Sequence, residues 1–319
     1  MKIRIGIGLG EWPFVGQGQE GLFEFIDRCE SLDIDSLWVN DRIISSTVTM
    51  EPIVFMAYMA SRMKNMKFGA SALVLPTRNP VLLAKQLATL DFLCRGRLLL
   101  VVGLGSDESR DFEAVGVRKQ ERGRRTDEAI VFMRRLWSEE RVDFEGDFYS
   151  VKSVSLFPRP WQEGGPPIWV GGRSQAALRR AGQLGDGWLV SSATPGEVAE
   201  GIRMIRDYAA RSGREVPEDH YGVLAPFFFS DSPETAWEIV QGSIRARQEL
   251  SPCAYCALGR PEQVRQKLQE YIDGGATKFV MRLCGPKESW SEQIEILAGE
   301  VIKPLQTGFS KEERTERIG

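Results

Sequence analysis

Polar and charged residues recur at the points where apolar, strand-like runs of the sequence end. The triplet Asn40-Asp41-Arg42 follows one such run, and the pair Ser106-Asp107 follows another. Carboxylates at such positions can move protons, and a fixed guanidinium can stabilise negative charge that develops during a reaction. The two charges of the triplet could also simply pair with each other. The residue types therefore indicate a possible reaction centre and leave its chemistry open.

A second set of residues has the pattern of an anion-binding turn. The stretch Gly171-Gly172-Arg173-Ser174 joins a strand-like run to an amphipathic segment that begins near Gln175. Glycines before a helix expose backbone N–H groups, and the helix N-terminus and Arg173 both favour negative charge, so this turn could hold a phosphate. A tight turn with a serine cap is the alternative. The stretch Gly103-Leu104-Gly105 is a weaker candidate, because Glu108 stands where a dinucleotide-binding loop has its third glycine.

Strand-like runs alternate with segments of helical periodicity along the whole chain, which predicts βα units around a parallel sheet. Eight units in about 300 residues fit a (β/α)8 TIM barrel with insertions better than an open sheet, and such a barrel gathers functional groups at the C-terminal ends of its strands. The predicted strands are Ile3–Leu9, Ser36–Val39, Met66–Leu75, Leu98–Gly103, Pro167–Val170, Gly187–Val190, Tyr221–Phe229 and Lys278–Leu283. The predicted helices are Gly21–Leu32, Glu51–Met63, Pro80–Leu93, Gly123–Trp137, Ser174–Leu184, Pro195–Arg211, Ser232–Leu250, Pro261–Asp273 and Ser289–Leu305.

Two stretches interrupt this alternation. Residues 138–166 form an insertion that contains the run Val142–Tyr149, which predicts a small hairpin. Residues 251–259 are a second irregular stretch. The sequence therefore predicts one barrel domain over residues 1–305 and a C-terminal tail over residues 306–319.

Composition excludes several classes of protein. The 319 residues are 42% hydrophobic and 27% charged with a net charge of −3, which predicts a sizeable core and gives no basic field for nucleic acid. No apolar run approaches the roughly 20 residues of a membrane helix, and five scattered cysteines make a poor disulfide framework, so we expect a cytoplasmic location without membrane contact. The chain has one histidine, His220, and Cys253-Ala254-Tyr255-Cys256 lacks further ligands nearby, so we expect no metal site.

Five separate stretches together resemble one family. They are NPVLLAKQLATLDFLCRGRLLLVVGLG, ERGRRTDEAIVFMRRLW, VDFEGDFY, PPIWVGGRSQAALRRAGQLGDGWL and GATKFVMRL. In this order and spacing they resemble the bacterial luciferase-like flavin- or coenzyme F420-dependent oxidoreductases and monooxygenases, from Met1 to about Leu305. The resemblance implies a TIM barrel that binds reduced FMN or the deazaflavin coenzyme F420 at the C-terminal ends of its strands.

The resemblance also implies which residues contact that cofactor. Its phosphate would lie on the turn at residues 171–174, and a non-proline cis peptide bond would lie beneath its ring at Ser71-Ala72. The expected cofactor-binding residues are Asn40, Ser71, Ala72, Ser106, Gly171, Gly172, Arg173, Ser174, Ser191, Ser192 and Arg282.

The chain departs from its relatives at two positions where those relatives have residues that act in the reaction. Many relatives have a histidine where this chain has Arg42, and some deazaflavin-dependent relatives have a glutamate acid where it has Ser106. We therefore expect proton transfer to fall to Asp107 or to be unnecessary, and take Asp41, Arg42 and Asp107 as the catalytic candidates. Arg42 would favour an anionic substrate or intermediate unless it merely pairs with Asp41 or Glu51.

The expected function is an oxidoreductase in which F420 or FMN exchanges hydride with a small organic substrate, or in which FMN supports its monooxygenation. A non-redox barrel enzyme acting on a phosphorylated small molecule and a non-catalytic flavin-binding homologue are the alternatives. The resemblance also implies a homodimer, and an FMN enzyme could depend on a separate reductase for reduced cofactor.

Overall fold

Residues 2–14, 16–108 and 110–306 are described by a computed structural model of the chain. Eight parallel strands form the barrel that the sequence predicts. They are β1 (Arg4–Gly8), β2 (Ser36–Val39), β3 (Lys67–Val74), β4 (Leu98–Gly103), β7 (Ile168–Gly171), β8 (Gly187–Ser191), β9 (Tyr221–Phe229) and β11 (Lys278–Leu283). The remaining strands are β5 (Val142–Glu145), β6 (Ser150–Val154) and β10 (Ala257–Gly259).

The barrel closes because β9 pairs with both β8 and β11. Pairing runs from β9 through β11, β1, β2, β3, β4 and β7 to β8, and returns to β9. All of these ladders are parallel, so every barrel strand delivers its C-terminal end to the same face. The predicted TIM barrel is confirmed.

Helices surround the barrel on its outside. They are α1 (Gly18–Ser31), α2 (Pro52–Arg62), α3 (Pro80–Cys94), α4 (Asp111–Ala114), α5 (Arg122–Ser138), α6 (Gln175–Leu184), α7 (Pro195–Arg211), α8 (Pro233–Val240), α9 (Pro261–Asp273) and α10 (Trp290–Ile296). A π-helical turn, Leu297–Ile302, continues α10. No helix in the described ranges combines the length and the apolar character needed to cross a bilayer.

Caps fix where the helices begin next to the strand ends. Asn79 accepts hydrogen bonds from the N–H groups of Val81 and Leu82 at the start of α3. Thr194 and Glu197 form a reciprocal capping box at the start of α7. A proline occupies the first helical position in both cases, as its fixed φ angle favours. These caps make the loops after β3 and β8 short and well defined.

Three elements differ from the sequence predictions. The short helix α4, Asp111–Ala114, was not predicted. The helix predicted over Ser232–Leu250 ends at Val240. The following segment, residues 241–256, forms short 3-10 turns at Gln241–Ser243 and Pro252–Ala254 and also bonds to groups at the barrel mouth. Within the stretch predicted as irregular, β10 pairs parallel with Phe227–Phe229. A three-residue strand is too short to show a period in the sequence.

The predicted hairpin is present as β5 and β6, which pair antiparallel between α5 and β7. Glu128 of α5 accepts hydrogen bonds from the backbone N–H groups of Asp147, Phe148 and Tyr149, which ties the turn of the hairpin to the barrel. Apart from Gln306, the predicted C-terminal tail lies outside the described residues.

Candidate active site

The C-terminal ends of the barrel strands place most of the predicted cofactor-binding residues on one face. Asn40 follows β2, Ser71 and Ala72 lie in β3, and Gly171 and Ser191 end β7 and β8. The pairings of Val74 with Gly103 and of Gly171 with Leu189 bring these ends to a common level. These predicted residues therefore lie together at the C-terminal face of the barrel, and their contact with a cofactor stays a prediction.

Small residues form the floor of this face. The Ser71-Ala72 peptide bond is cis, as the resemblance implied, and the β3–β4 register shifts between Ala70 and Leu73. A Cβ added at Gly103 would lie 3.1 Å from the Cβ of Ala72, and one added at Gly171 would lie 3.6 Å from it. Three neighbouring strands therefore carry almost no side-chain bulk here, which suits the flat ring of a flavin or deazaflavin.

The turn after β7 has the features of an anion site. Gly172 adopts φ +111°, a conformation that favours glycine, and the indole Nε1 of Trp188 donates to its carbonyl oxygen at 2.7 Å. Ser174 caps α6 by accepting from the N–H of Ala177. The backbone N–H groups of Arg173 and Ser174 donate to no acceptor among the residues the structure describes. Two unpaired donors at a helix N-terminus fit a phosphate group.

The turn after β8 is held against this anion site. Ser192 has a positive φ of 51°, and its carbonyl oxygen accepts from Nη1 of Arg173 at 3.2 Å and from Nη1 of Arg247 at 3.0 Å. Arg247 also pairs with Glu197 at 2.8 Å. Sequence reasoning missed Arg247, since its segment was predicted to be helical. Ser192 lies beside Arg173, and its role in cofactor binding stays a prediction, as does that of Ser191.

Asp41 is engaged in a buried network rather than paired with Arg42. Its carboxylate accepts from the N–H of Val74 at 2.7 Å and from Nη2 of Arg78 at 2.8 Å, and Nη1 of Arg78 reaches Glu51 at 3.0 Å. Burial raises the pKa of Asp41, against the opposing effects of Arg78 and the Val74 N–H group. The network ties the end of β2 to the segment after the cis peptide bond. Arg78 lies three residues after the end of the third predicted strand, and this position was the one signal for it.

Arg42 is exposed after β2. The suggested pairs of Arg42 with Asp41 or Glu51 are wrong, because both carboxylates bind Arg78. Within the described ranges, no carboxylate lies within 4.0 Å of the Arg42 guanidinium. Its charge is thus available to a ligand.

The contacts of the residues after β4 do not favour acid catalysis. Ser106 accepts from the N–H of Glu108, and Asp107 pairs with Arg122 and with Lys119. The hydrogen bond and charge of Arg122 hold the pKa of Asp107 below its ordinary value. Asp107 as a proton donor stays a prediction, and its environment favours the ionised form.

The segment 241–256 lies over the barrel mouth. Arg282, at the end of β11, donates from Nη2 to the carbonyl oxygen of Ser243 at 2.6 Å. Arg245 pairs with Glu108, after β4, at 2.7 Å, while Arg247 reaches the turn after β8. The segment therefore joins strand ends on opposite sides of the face, and Arg282 helps to hold it there.

The cysteines and His220 form neither disulfides nor a metal site among the described residues. All five are free thiols, and burial raises the pKa of Cys256 to about 12. In the ranges that the structure describes, no three Cys, His, Asp or Glu side chains gather as metal ligands would. His220 lies just before β9, where its Nδ1 is 2.6 Å from the carbonyl oxygen of Asp186.

Known proteins share both this sequence and this fold. An F420-dependent glucose-6-phosphate dehydrogenase of Kineococcus radiotolerans is 27% identical over 302 residues, which span 84% of this chain and 88% of that protein. Another of Amycolatopsis mediterranei is 30% identical over 213 residues, 63% of this chain and 61% of that protein.

Solved structures share the barrel. Monooxygenase RslO1 from Streptomyces bottropensis superposes with a TM-score of 0.80 at 21% identity, covering 95% of this chain and 100% of that one. An F420-dependent secondary alcohol dehydrogenase gives 0.80 at 20% identity, covering 95% and 99%. The family model described as luciferase-like monooxygenase matches residues 8–253. The chain belongs to the luciferase-like monooxygenase family.

Proposed function

We propose that this protein is an oxidoreductase that binds a reduced flavin-type cofactor, F420 or FMN, at the C-terminal face of its barrel. The observation that carries the proposal is the pair of unpartnered N–H groups at Arg173 and Ser174, which lies beside a floor of small residues. The N–H groups suit a phosphate, and the floor of small residues suits a flat ring. Family membership agrees with the predicted redox chemistry and gives no support to a non-redox barrel enzyme.

F420 is the first candidate cofactor. The relatives named above at 27% and 30% identity are F420-dependent dehydrogenases, and a bound deazaflavin supplies hydride transfer. The chain would hold the phosphate on the turn at residues 171–174 and the ring above Ala72. Titration of the purified protein with F420 and with FMN, followed through ring fluorescence, tests the choice. Failure of both to bind at micromolar concentration would refute the proposal.

Arg42 points to an anionic substrate or an anionic reaction intermediate. A guanidinium without a protein carboxylate keeps its charge free for a ligand, and it is planar enough to bind a carboxylate or phosphate through two hydrogen bonds. A variant Arg42→Met should therefore lose turnover of anionic substrates while it keeps cofactor affinity. A matched control is Arg110→Met, which removes an exposed arginine of the loop before α4.

Asp41 acts in this proposal as a positioning residue. Its bonds to Val74 and Arg78 hold the segment that carries the cis peptide bond, so the floor under the ring depends on it. Asp107 is left as the one predicted acid on the face, and its lowered pKa disfavours that role. The chemistry supported best is hydride transfer in which the protein itself donates no proton from a carboxylic acid.

FMN-dependent monooxygenation is the second candidate, because the structure of monooxygenase RslO1 shares the fold over its full length. It would add a reductase as a partner. A non-catalytic flavin-binding homologue would bind cofactor but show no turnover with any substrate. Consumption of oxygen with reduced FMN would favour the monooxygenase, and hydride exchange with F420 would favour the dehydrogenase.

We also propose that the protein is a cytoplasmic homodimer with one barrel domain over residues 1–305. Exposed apolar side chains lie along α2 and α3, which pack side by side. Val54, Leu82 and Leu93 are 70%, 59% and 73% exposed, and Leu82 and Leu93 lie three helical turns apart on one face. A second copy that covered this face would remove the apolar surface from water.

A further inference from the structure

A second cavity lies at the opposite end of the barrel from the proposed cofactor site. It has a volume of about 240 Å³ and opens where the strands begin. Arg4 of β1, Lys67 of β3 and Lys278 of β11 line it together with the indoles of Trp38 and Trp169. The volume is below the roughly 300 Å³ at which drug-sized sites begin, so it suits a small ligand.

Glycines on neighbouring strands make room for the two indoles. A Cβ at Gly69 would lie 2.9 Å from Trp38, and one at Gly187 would lie 2.5 Å from Trp169. TIM-barrel interiors are usually filled by layers of branched residues. Here two indoles line the cavity. Trp38 is 2% exposed, and Nζ of Lys278 lies 5.7 Å from its ring centroid, so the half-buried Trp169 is the more open of the two.

The layer at the strand starts has an excess of positive charge. Arg4 and Lys278 are register partners on neighbouring strands, an arrangement that like charges disfavour. Asp219 lies 3.4 Å from Arg4, and Asp35 lies 2.7 Å from Lys278. In the described part of the chain, no carboxylate lies within 4.0 Å of Lys67. Lys67 therefore has no ion pair of its own and shares the charge of Asp35 with Lys278.

The neighbouring positive charges affect the buried Lys278 directly. Lys278 is 3% exposed, and burial lowers its pKa. Asp35 opposes that effect, while the charges of Lys67 and Arg4 add to it. An anion in the cavity would relieve this repulsion.

We propose that this cavity is a binding site for a small aromatic carboxylate. Lys67 and its cationic neighbours supply the charge that attracts the carboxylate. Trp169 and the imidazole of His220, whose ring centroids lie 5.2 Å apart, supply aromatic surface for the ring of the ligand. The site is separate from the cofactor face, so the proposal does not depend on the cofactor or on the reaction.

Calorimetric titration of the full chain with benzoate tests the site. We expect saturable binding to the native protein and a loss of about tenfold or more in affinity in Lys67→Met, because a charged hydrogen-bond donor is removed. Lys64→Met, an exposed lysine outside the cavity, should bind as the native protein does. Acetate, which lacks the ring, should bind at least about tenfold more weakly than benzoate.

Unfolding temperatures keep the test independent of folding defects. Benzoate should raise the unfolding temperature of the native protein and of Lys64→Met, and should leave that of Lys67→Met unchanged. Without benzoate, Lys67→Met should unfold close to the temperature of the native protein, since Lys67 repels Lys278 but attracts Asp35. No saturable benzoate binding, or equal affinity in Lys67→Met, would overturn the proposal, and equal affinity for acetate would overturn its aromatic part.

Discussion

Replacement of Gly172 by aspartate should weaken cofactor binding through charge. The variant places a carboxylate in the turn whose N–H groups, at Arg173 and Ser174, are proposed to hold the phosphate. Two unit charges about 5 Å apart repel by about 3 kcal/mol at an effective dielectric constant of about 20. The turn is exposed, so screening reduces this repulsion, and a loss of affinity of roughly 10- to 100-fold is expected.

Strain needs a matched control, because Gly172 has φ +111° and any side chain there is disfavoured. Gly172→Asn introduces a side chain of the same shape without the charge, and both variants place their Cβ 3.2 Å from that of Ala177. The difference between the two variants therefore isolates the carboxylate. The assay is titration with F420 or FMN, followed through ring fluorescence.

Stability should change in the opposite direction from affinity. A negative charge before α6 favours the helix dipole by roughly 0.3 to 1 kcal/mol, so the aspartate variant should unfold at the same temperature as the asparagine variant or slightly higher. Equal cofactor affinities in the two variants would refute the phosphate site at this turn. The site would also be refuted if the aspartate variant bound cofactor more weakly only in proportion to a lower unfolding temperature than that of the asparagine variant.

Three further predictions follow from other contacts. Arg78→Met leaves Asp41 buried without its partner and should lower the free energy of unfolding by about 3 kcal/mol at neutral pH. The variant also raises the folded-state pKa of Asp41 further, so Asp41 is protonated in acid and the loss of unfolding free energy, measured by chemical denaturation, should be smaller there. Burial would raise the pKa of Glu30, but N–H groups at residues 64–66 outweigh it and lower that pKa, so Glu30→Gln should lose about 1 to 2 kcal/mol at neutral pH. That contribution is lost in the native protein as pH falls through the lowered pKa, so a deficit that persisted unchanged in acid would contradict this account. Leu93→Glu should convert a dimer to a monomer in analytical ultracentrifugation, whereas Val131→Glu, an exposed position on α5, should not.

The fold was predictable because its signals are local and repeated. Each barrel strand is a run of four or more residues made mostly of apolar residues and glycine, and prolines and caps such as Asn79 and Thr194 mark where helices begin. The exceptions depended on distant partners. Residues 241–256 do not continue α8, and Arg245, Arg247 and the carbonyl oxygen of Ser243 bond to groups far along the chain. No period in the sequence records those partners.

The candidate site was predictable as a set of positions and not as a set of contacts. Residue type and the strand-end rule predicted Asp41 and Asp107 at the C-terminal face of the barrel, where both lie, and the resemblance predicted the cis bond at Ser71-Ala72. Neither could show that Arg78, 37 residues after Asp41, would neutralise it, or that Arg122 would pair with Asp107. An ion pair between remote segments depends on how loops pack, which local patterns do not encode.

These pairings change what the missing histidine and glutamate imply. Both carboxylates proposed from the sequence are bound to arginines, and Asp107 is further biased toward the ionised form. Arg42 is exposed on the same face, and its charge has no carboxylate partner in the described ranges. A site built in this way stabilises negative charge better than it donates protons. The expected substrate is therefore one whose oxidation or reduction leaves an anionic group to be bound, with protons exchanged through solvent.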